Sequence, residues 1–106
     1  MNKWVGKGSY LTKSLSSEKQ LSCKGIQIQL VKIKGKSEHY HKSKTEFFYF
    51  LRNGGVVIIA GKKHRIRKGM IIVIKPYLVH SFVAKKGYIE ALMVKTNHND
   101  NDTFYK

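Results

Sequence analysis

Along most of the chain apolar residues recur at every second position in short runs, and glycine or Lys-Gly pairs interrupt them about every ten residues. A period of two puts successive side chains on opposite faces of an extended strand, so the pattern predicts an all-β protein. Ile26, Ile28 and Leu30 alternate with Gln27 and Gln29, which predicts a half-buried strand running to about Ile33 and stopping at Gly35. From Glu46 to Arg52 both faces are apolar, with Phe48 and Phe50 on one side and Phe47, Tyr49 and Leu51 on the other. Such a strand is covered on both sides. Asn53-Gly54-Gly55 then accepts positive φ cheaply, and the best hairpin in the sequence joins this strand to a return over Val56 to Ala60.

Turns at Gly61-Lys62-Lys63 and Lys68-Gly69 set off further strands over His64 to Arg67 and Met70 to Ile74, and Pro76 closes the second of these. A short strand over His80 to Val83, a turn at Lys85-Lys86-Gly87 and a strand over Tyr88 to Lys95 complete the pattern. No stretch reads as a long amphipathic helix. About eight short strands in a chain of this length predict one domain, a sandwich or barrel of jelly-roll type that closes its own edges. The expected layout is an N-terminal arm or edge strand over 1–25, a barrel over 26–95 and a polar tail over 96–106.

Composition sharpens this only in part. At 106 residues there is room for one core, and the single cysteine, Cys23, can form no internal bridge. No run of about 18 apolar residues and no signal-like stretch appears, so the expectation is a cytoplasmic protein without a membrane span. The net charge of +15 attracts polyanions, but it comes mostly from lysines spread along the whole chain. Lys63, Arg65 and Arg67 share one strand face. Beside Phe47 and Tyr49 they would suit single-stranded nucleic acid; a solvated outer face is the plainer reading.

The chemistry gathers elsewhere. His39 and His41 are two positions apart in an extended segment, so their imidazoles project from one face and can share a ligand. Glu46 falls on the apolar face of Phe48 and Phe50, where an unpaired carboxylate is costly. A divalent cation held by neutral imidazoles and one anionic oxygen removes that cost. His80, at the start of a strand after Pro76, is the fourth candidate.

These residues resemble the two motifs of the cupins, G(X)5HXH(X)3–4E(X)6G and G(X)5PXG(X)2H(X)3N. The first runs here from Gly35 through His39, Tyr40, His41 and Glu46 to Gly54, the second from Gly69 through Pro76 to His80. The ligand spacing is intact, whereas the glycines are displaced, Pro76 sits one place late, and Tyr77 and Ala84 take the usual glycine and asparagine positions. The resemblance covers about Ile26 to Lys95. It implies a cupin-like jelly-roll β-barrel with one divalent metal inside, bound by His39, His41, Glu46 and His80.

Histidine and glutamate serve Mn, Fe, Ni, Co and Zn alike, so the metal stays open, and so does the choice between enzyme and binder. Such a site keeps a position free for water or a small molecule, and the lysines favour an anionic one such as a carboxylate or sugar derivative. Phe48, Phe50 and Tyr88 are expected as cavity wall. A basic barrel that binds single-stranded nucleic acid and a non-catalytic dimeric sensor are the alternatives, with a homodimer the expected assembly. His64 reads as structural, Cys23 as inert, and His98 as solvated.

Overall fold

The computed structural model describes residues 3–99 and 101–106; Met1, Asn2 and Asp100, which fall in the expected arm and tail, lie outside the described residues. Eleven strands and one short helix follow in the order β1 (Trp4–Gly6), β2 (Tyr10–Ser14), α1 (Glu18–Leu21), β3 (Gln27–Ile33), β4 (Gly35–Tyr40), β5 (Thr45–Phe50), β6 (Val56–Ile59), β7 (Lys62–Arg65), β8 (Ile71–Ile74), β9 (His80–Val83), β10 (Ile89–Thr96) and β11 (Phe104–Tyr105). They form two antiparallel sheets, β1-β2-β3-β10-β5-β8 and β11-β4-β9-β6-β7. The all-β jelly-roll expectation is met.

Between the sheets lies a core of Val31, Ile33, Phe48, Phe50, Val57, Ile66, Ile72, Ile74, Phe82, Ile89, Ala91 and Met93. Its polarity changes along the barrel. On β10 the inward row Ile89, Ala91, Met93 ends in Lys95; on β5 Phe50 and Phe48 give way to Glu46; on β3 Ile33 and Val31 give way to Gln29 and Gln27. Antiparallel register aligns these changes, since Lys95 pairs with both Glu46 and Gln27. One end of the barrel is therefore dry and the other polar.

The predicted hairpin across Asn53-Gly54-Gly55 does not form. β5 pairs with β10 and β8 in one sheet and β6 pairs with β7 and β9 in the other, so this turn carries the chain between sheets. Gly54 and Gly55 do adopt positive φ, 115° and 91°. Gly55 also packs so closely that a Cβ there would sit 2.7 Å from Ile89 Cγ1. The positive-φ signal was real, but a corner needs it as much as a hairpin does. The true tight hairpin is β6–β7, turned by Ala60 and Gly61 at φ of 50° and 81°.

Both ends of the chain join the sheets. The segment before residue 26 supplies β1 and β2, which extend the six-stranded sheet from β3. The expected polar tail folds back: β11 pairs with β4, and Asp102 is only 5% exposed. Lys63 and Arg65 lie on β7, whereas Phe47 and Tyr49 lie on β5 of the opposite sheet, so the basic stripe has no aromatic neighbours of that kind. Among the described residues no helix is long and apolar enough to cross a membrane.

Candidate metal centre

His39, His41, Glu46 and His80 converge at the boundary between the dry and polar halves, each offering a ligand atom within 4.8 Å of the others. Three strands position them. β4 and β9 pair so that His39 faces His80, β5 supplies Glu46, and His41 follows the end of β4. A bulge between Lys36 and His39 shifts the β4 register. Three positions apart, these two would lie on opposite faces of a regular strand; the extra residue turns both inward.

The histidines are held in one tautomer. Each Nδ1 lies within hydrogen-bond distance of a main-chain carbonyl, of Ser37 at 2.7 Å for His39, of Asp102 at 2.7 Å for His41 and of Leu78 at 2.9 Å for His80. A carbonyl oxygen only accepts, so Nδ1 carries the proton and Nε2 a lone pair. All three Nε2 atoms are buried without a hydrogen-bond partner among the described residues. Those of His41 and His80 lie 3.2 and 3.4 Å from Glu46 Oε1. Lone pairs facing a carboxylate at such distances repel unless a cation stands among them. A divalent ion fits this donor set, and the spread of the atoms is close to the roughly 4 Å expected across an ion bound at about 2.1 Å.

Titration behaviour agrees. Burial, with the charges of His80 and Lys36, pushes His39 down to about 3, so it stays neutral and able to ligate. Burial works to raise Glu46, but positive charge and N–H donation from His41 and His80 outweigh it and hold the carboxyl well below its usual range; with the rings neutral and Nδ1-protonated, a cation would have to take over that role.

His41 and Glu46 open onto a cavity of about 580 Å³ at the polar end, whose wall includes Tyr10, Lys36, Lys44, Lys95, His98 and Thr103. Burial pushes Lys95 down to about 8, with Lys44 adding to the effect, and burial also lowers Lys36. Tyr10 is raised, first by burial. Of the expected wall residues, Phe48 lies against the cluster's apolar side and lines a small recess with Glu46. Phe50 is fully buried in the core, and Tyr88 is 41% exposed and lines no part of this cavity. His98, expected to be solvated, is half-buried in the cavity wall. His64 pairs with Val57 on β6, away from the cluster.

The cupin domain family model (Cupin_2) matches residues 29–95. The chain belongs to the cupin family. Solved structures share the cupin fold at low sequence identity. KdgF from Halomonas sp. is 16% identical with a TM-score of 0.78, over 93% of this chain and 89% of that one. A Streptomyces PAC13 variant with uridine is 14% identical with a TM-score of 0.79, over 99% and 84%. A predicted oxalate decarboxylase from Thermotoga maritima is 20% identical with a TM-score of 0.74, over 89% and 90%. No curated protein sequence matches this cupin.

Residue pattern alone missed Lys36, because a bulge inverts strand parity, and Asp102, because a run of small polar residues reads as a solvated tail. Lys95 and Lys44 were legible in principle: Lys95 continues the inward row Ile89, Ala91, Met93, and Lys44 lies two positions before Glu46, just ahead of β5.

Proposed function

We propose that this cupin holds one divalent transition-metal ion on His39, His41, Glu46 and His80 and binds a small anionic molecule in the cavity above it. The convergence of three orphaned Nε2 atoms on one buried carboxylate carries this reading. A bound ion there would supply Lewis acidity toward an oxygen of the ligand. The chain's own groups do the rest. Lysines on the wall attract and orient the anion, the Phe48 and Phe82 side keeps water from the cluster's far face, and the Lys95 amine, lowered to about 8 by burial, is one wall group that can exchange a proton.

The similar structures fit a small-molecule site: Streptomyces PAC13, described as a nucleoside dehydratase, is seen with uridine, and the Thermotoga maritima protein is a predicted oxalate decarboxylase. Elemental analysis of tag-free protein should find about one equivalent of a transition metal, lost in a His39→Ala, His41→Ala double variant that keeps its β circular dichroism. No metal, even after reconstitution with Mn, Fe, Co, Ni or Zn, would sink the reading.

A homodimer belongs to the same proposal. The outer face of β10, β5 and β8 carries Leu92, Val94, Phe47, Tyr49, Ile71 and Val73 side by side, an apolar stripe that the second sheet does not cover. Sedimentation equilibrium should show a dimer that Ile71→Lys, Val73→Lys dissociates; a monomer at every concentration would exclude it.

A further inference from the structure

Five lysines line the metal-site cavity and none has an ion-pair partner among the described residues; Lys3 and Lys7 are exposed, whereas Lys36, Lys44 and Lys95 are not. They are not ordinary surface lysines. Lys44 is only 4% exposed, and Lys36 and Lys95 are largely shielded by the strands that carry them. Lys36 Nζ rests 4.2 Å from the centre of the Tyr10 ring, which offsets part of its lost hydration. Glu46 is the one carboxylate among the described residues lining this cavity, and the histidine cluster engages it. Like charges gathered in a shielded space destabilise the folded chain unless something of opposite sign joins them. A divalent ion would add to the excess, since Glu46 neutralises only one of its charges.

We propose that this cavity takes a compact polyanion, a small molecule carrying two or more negative charges as carboxylates or phosphate, with Lys36, Lys44 and Lys95 as its recognition residues. This deepens the metal-cupin reading and rests on it for the ligand atom that would face the ion. The volume, about 580 Å³, lies within the range of small-molecule sites. A neutral or singly charged molecule would fill the same space and leave the ammonium groups uncompensated. The enclosed far end, closed by the core aromatics Phe48 and Phe82, favours a compact ligand over an extended strand of phosphates.

Isothermal titration calorimetry at fixed ionic strength tests this with uridine, acetate, succinate, tricarballylate and inorganic phosphate, on metal-loaded and on chelated protein. Affinity should rise about tenfold or more from acetate to the stronger polyanions, with uridine weakest. The phosphate and carboxylate arms tell the two sources apart. A Lys36→Met, Lys95→Met double variant should lose about tenfold or more in polyanion affinity while keeping its metal content and melting no lower than the parent. Should that variant not fold, Lys36→Gln and Lys95→Gln singly should each lose about threefold or more. A series flat in ligand charge, or lysine variants that bind as the parent does, would overturn the proposal even where metal is bound. Charge-ordered binding by a protein that takes up no metal would instead support the polyanion site and remove the metal reading.

Discussion

The imidazole of His41 donates from Nδ1 to the main-chain carbonyl of Asp102, 2.7 Å away across 61 positions of sequence. The Asp102 carboxylate meanwhile accepts from the main-chain N–H groups of Lys42 at 2.8 Å, Ser43 at 3.1 Å and Lys44 at 2.9 Å, and from the Ser43 hydroxyl at 2.9 Å. One residue thus fixes both the ring of a candidate ligand and the loop between it and β5. Asp102→Ala keeps the main-chain carbonyl but frees the loop the carboxylate holds, so metal binding should weaken by about tenfold, the low end of the effect of losing an orienting partner. Competition with a chromophoric chelator measures it; unchanged affinity would show that the ring is held by other contacts.

The same carboxylate predicts an acid limb to stability. Burial tends to raise Asp102, but the N–H groups of Lys42, Ser43 and Lys44 and the Ser43 hydroxyl hold it down to about 2, below its ordinary value of 3.8. A depressed folded pKa means that the contribution is fully present above about 4 and drains away as pH falls toward 2. Thermal melts of metal-free protein across this window should show the loss, and Asp102→Asn should lower stability at neutral pH while flattening the slope. A variant with the parent's slope would contradict the assignment.

Gly55 should resist replacement. Its φ is 91°, and an added Cβ would meet Ile89 Cγ1 at 2.7 Å, Ile89 Cδ1 at 2.9 Å and the Val83 carbonyl at 3.0 Å. Strain and overpacking together predict a loss of about 2–4 kcal/mol for Gly55→Ala. Gly61→Ala, where nothing lies within 4 Å, should cost less, through its φ of 81° alone. Urea unfolding of both variants separates crowding from backbone strain; equal losses would discount the crowding.

Tyr77 holds a φ of 70°, a left-handed conformation that glycine adopts cheaply, at the position where the cupin motif has glycine. Its N–H donates to the His41 carbonyl at 2.6 Å, and its ring stacks on Tyr40 with centroids 6.3 Å apart. Tyr77→Gly should therefore leave stability within about 1 kcal/mol of the parent, whereas Tyr77→Val should cost about 1–2 kcal/mol, because a β-branched side chain tolerates this φ least. If valine were tolerated as well as glycine, the turn would have to be more pliable than its hydrogen bond to His41 suggests.

Strand existence and the four convergent side chains were legible because both depend on local rules: alternation places Phe48, Phe50 and Glu46 on one face, and the His-x-His spacing keeps two imidazoles together. What escaped depends on partners distant in sequence. Whether Asn53-Gly54-Gly55 makes a hairpin or a corner is decided by β10 and β9, not by the turn itself. Lys36 points inward only because β4 carries a bulge against β9. Asp102 acquires its role only once β11 has paired with β4, and nothing in Asn99 to Thr103 announces that pairing.

A barrel dry at one end and wet at the other imposes an order on traffic. Ion and ligand would share the cavity onto which His41 and Glu46 open, while Phe48, Phe50 and Ile74 fill the opposite half. An ion held by the four residues would lie deeper than a ligand in the cavity, so it would arrive first and leave last. A resident anion would then act as a stopper, slowing the escape of the metal in proportion to its own dwell time.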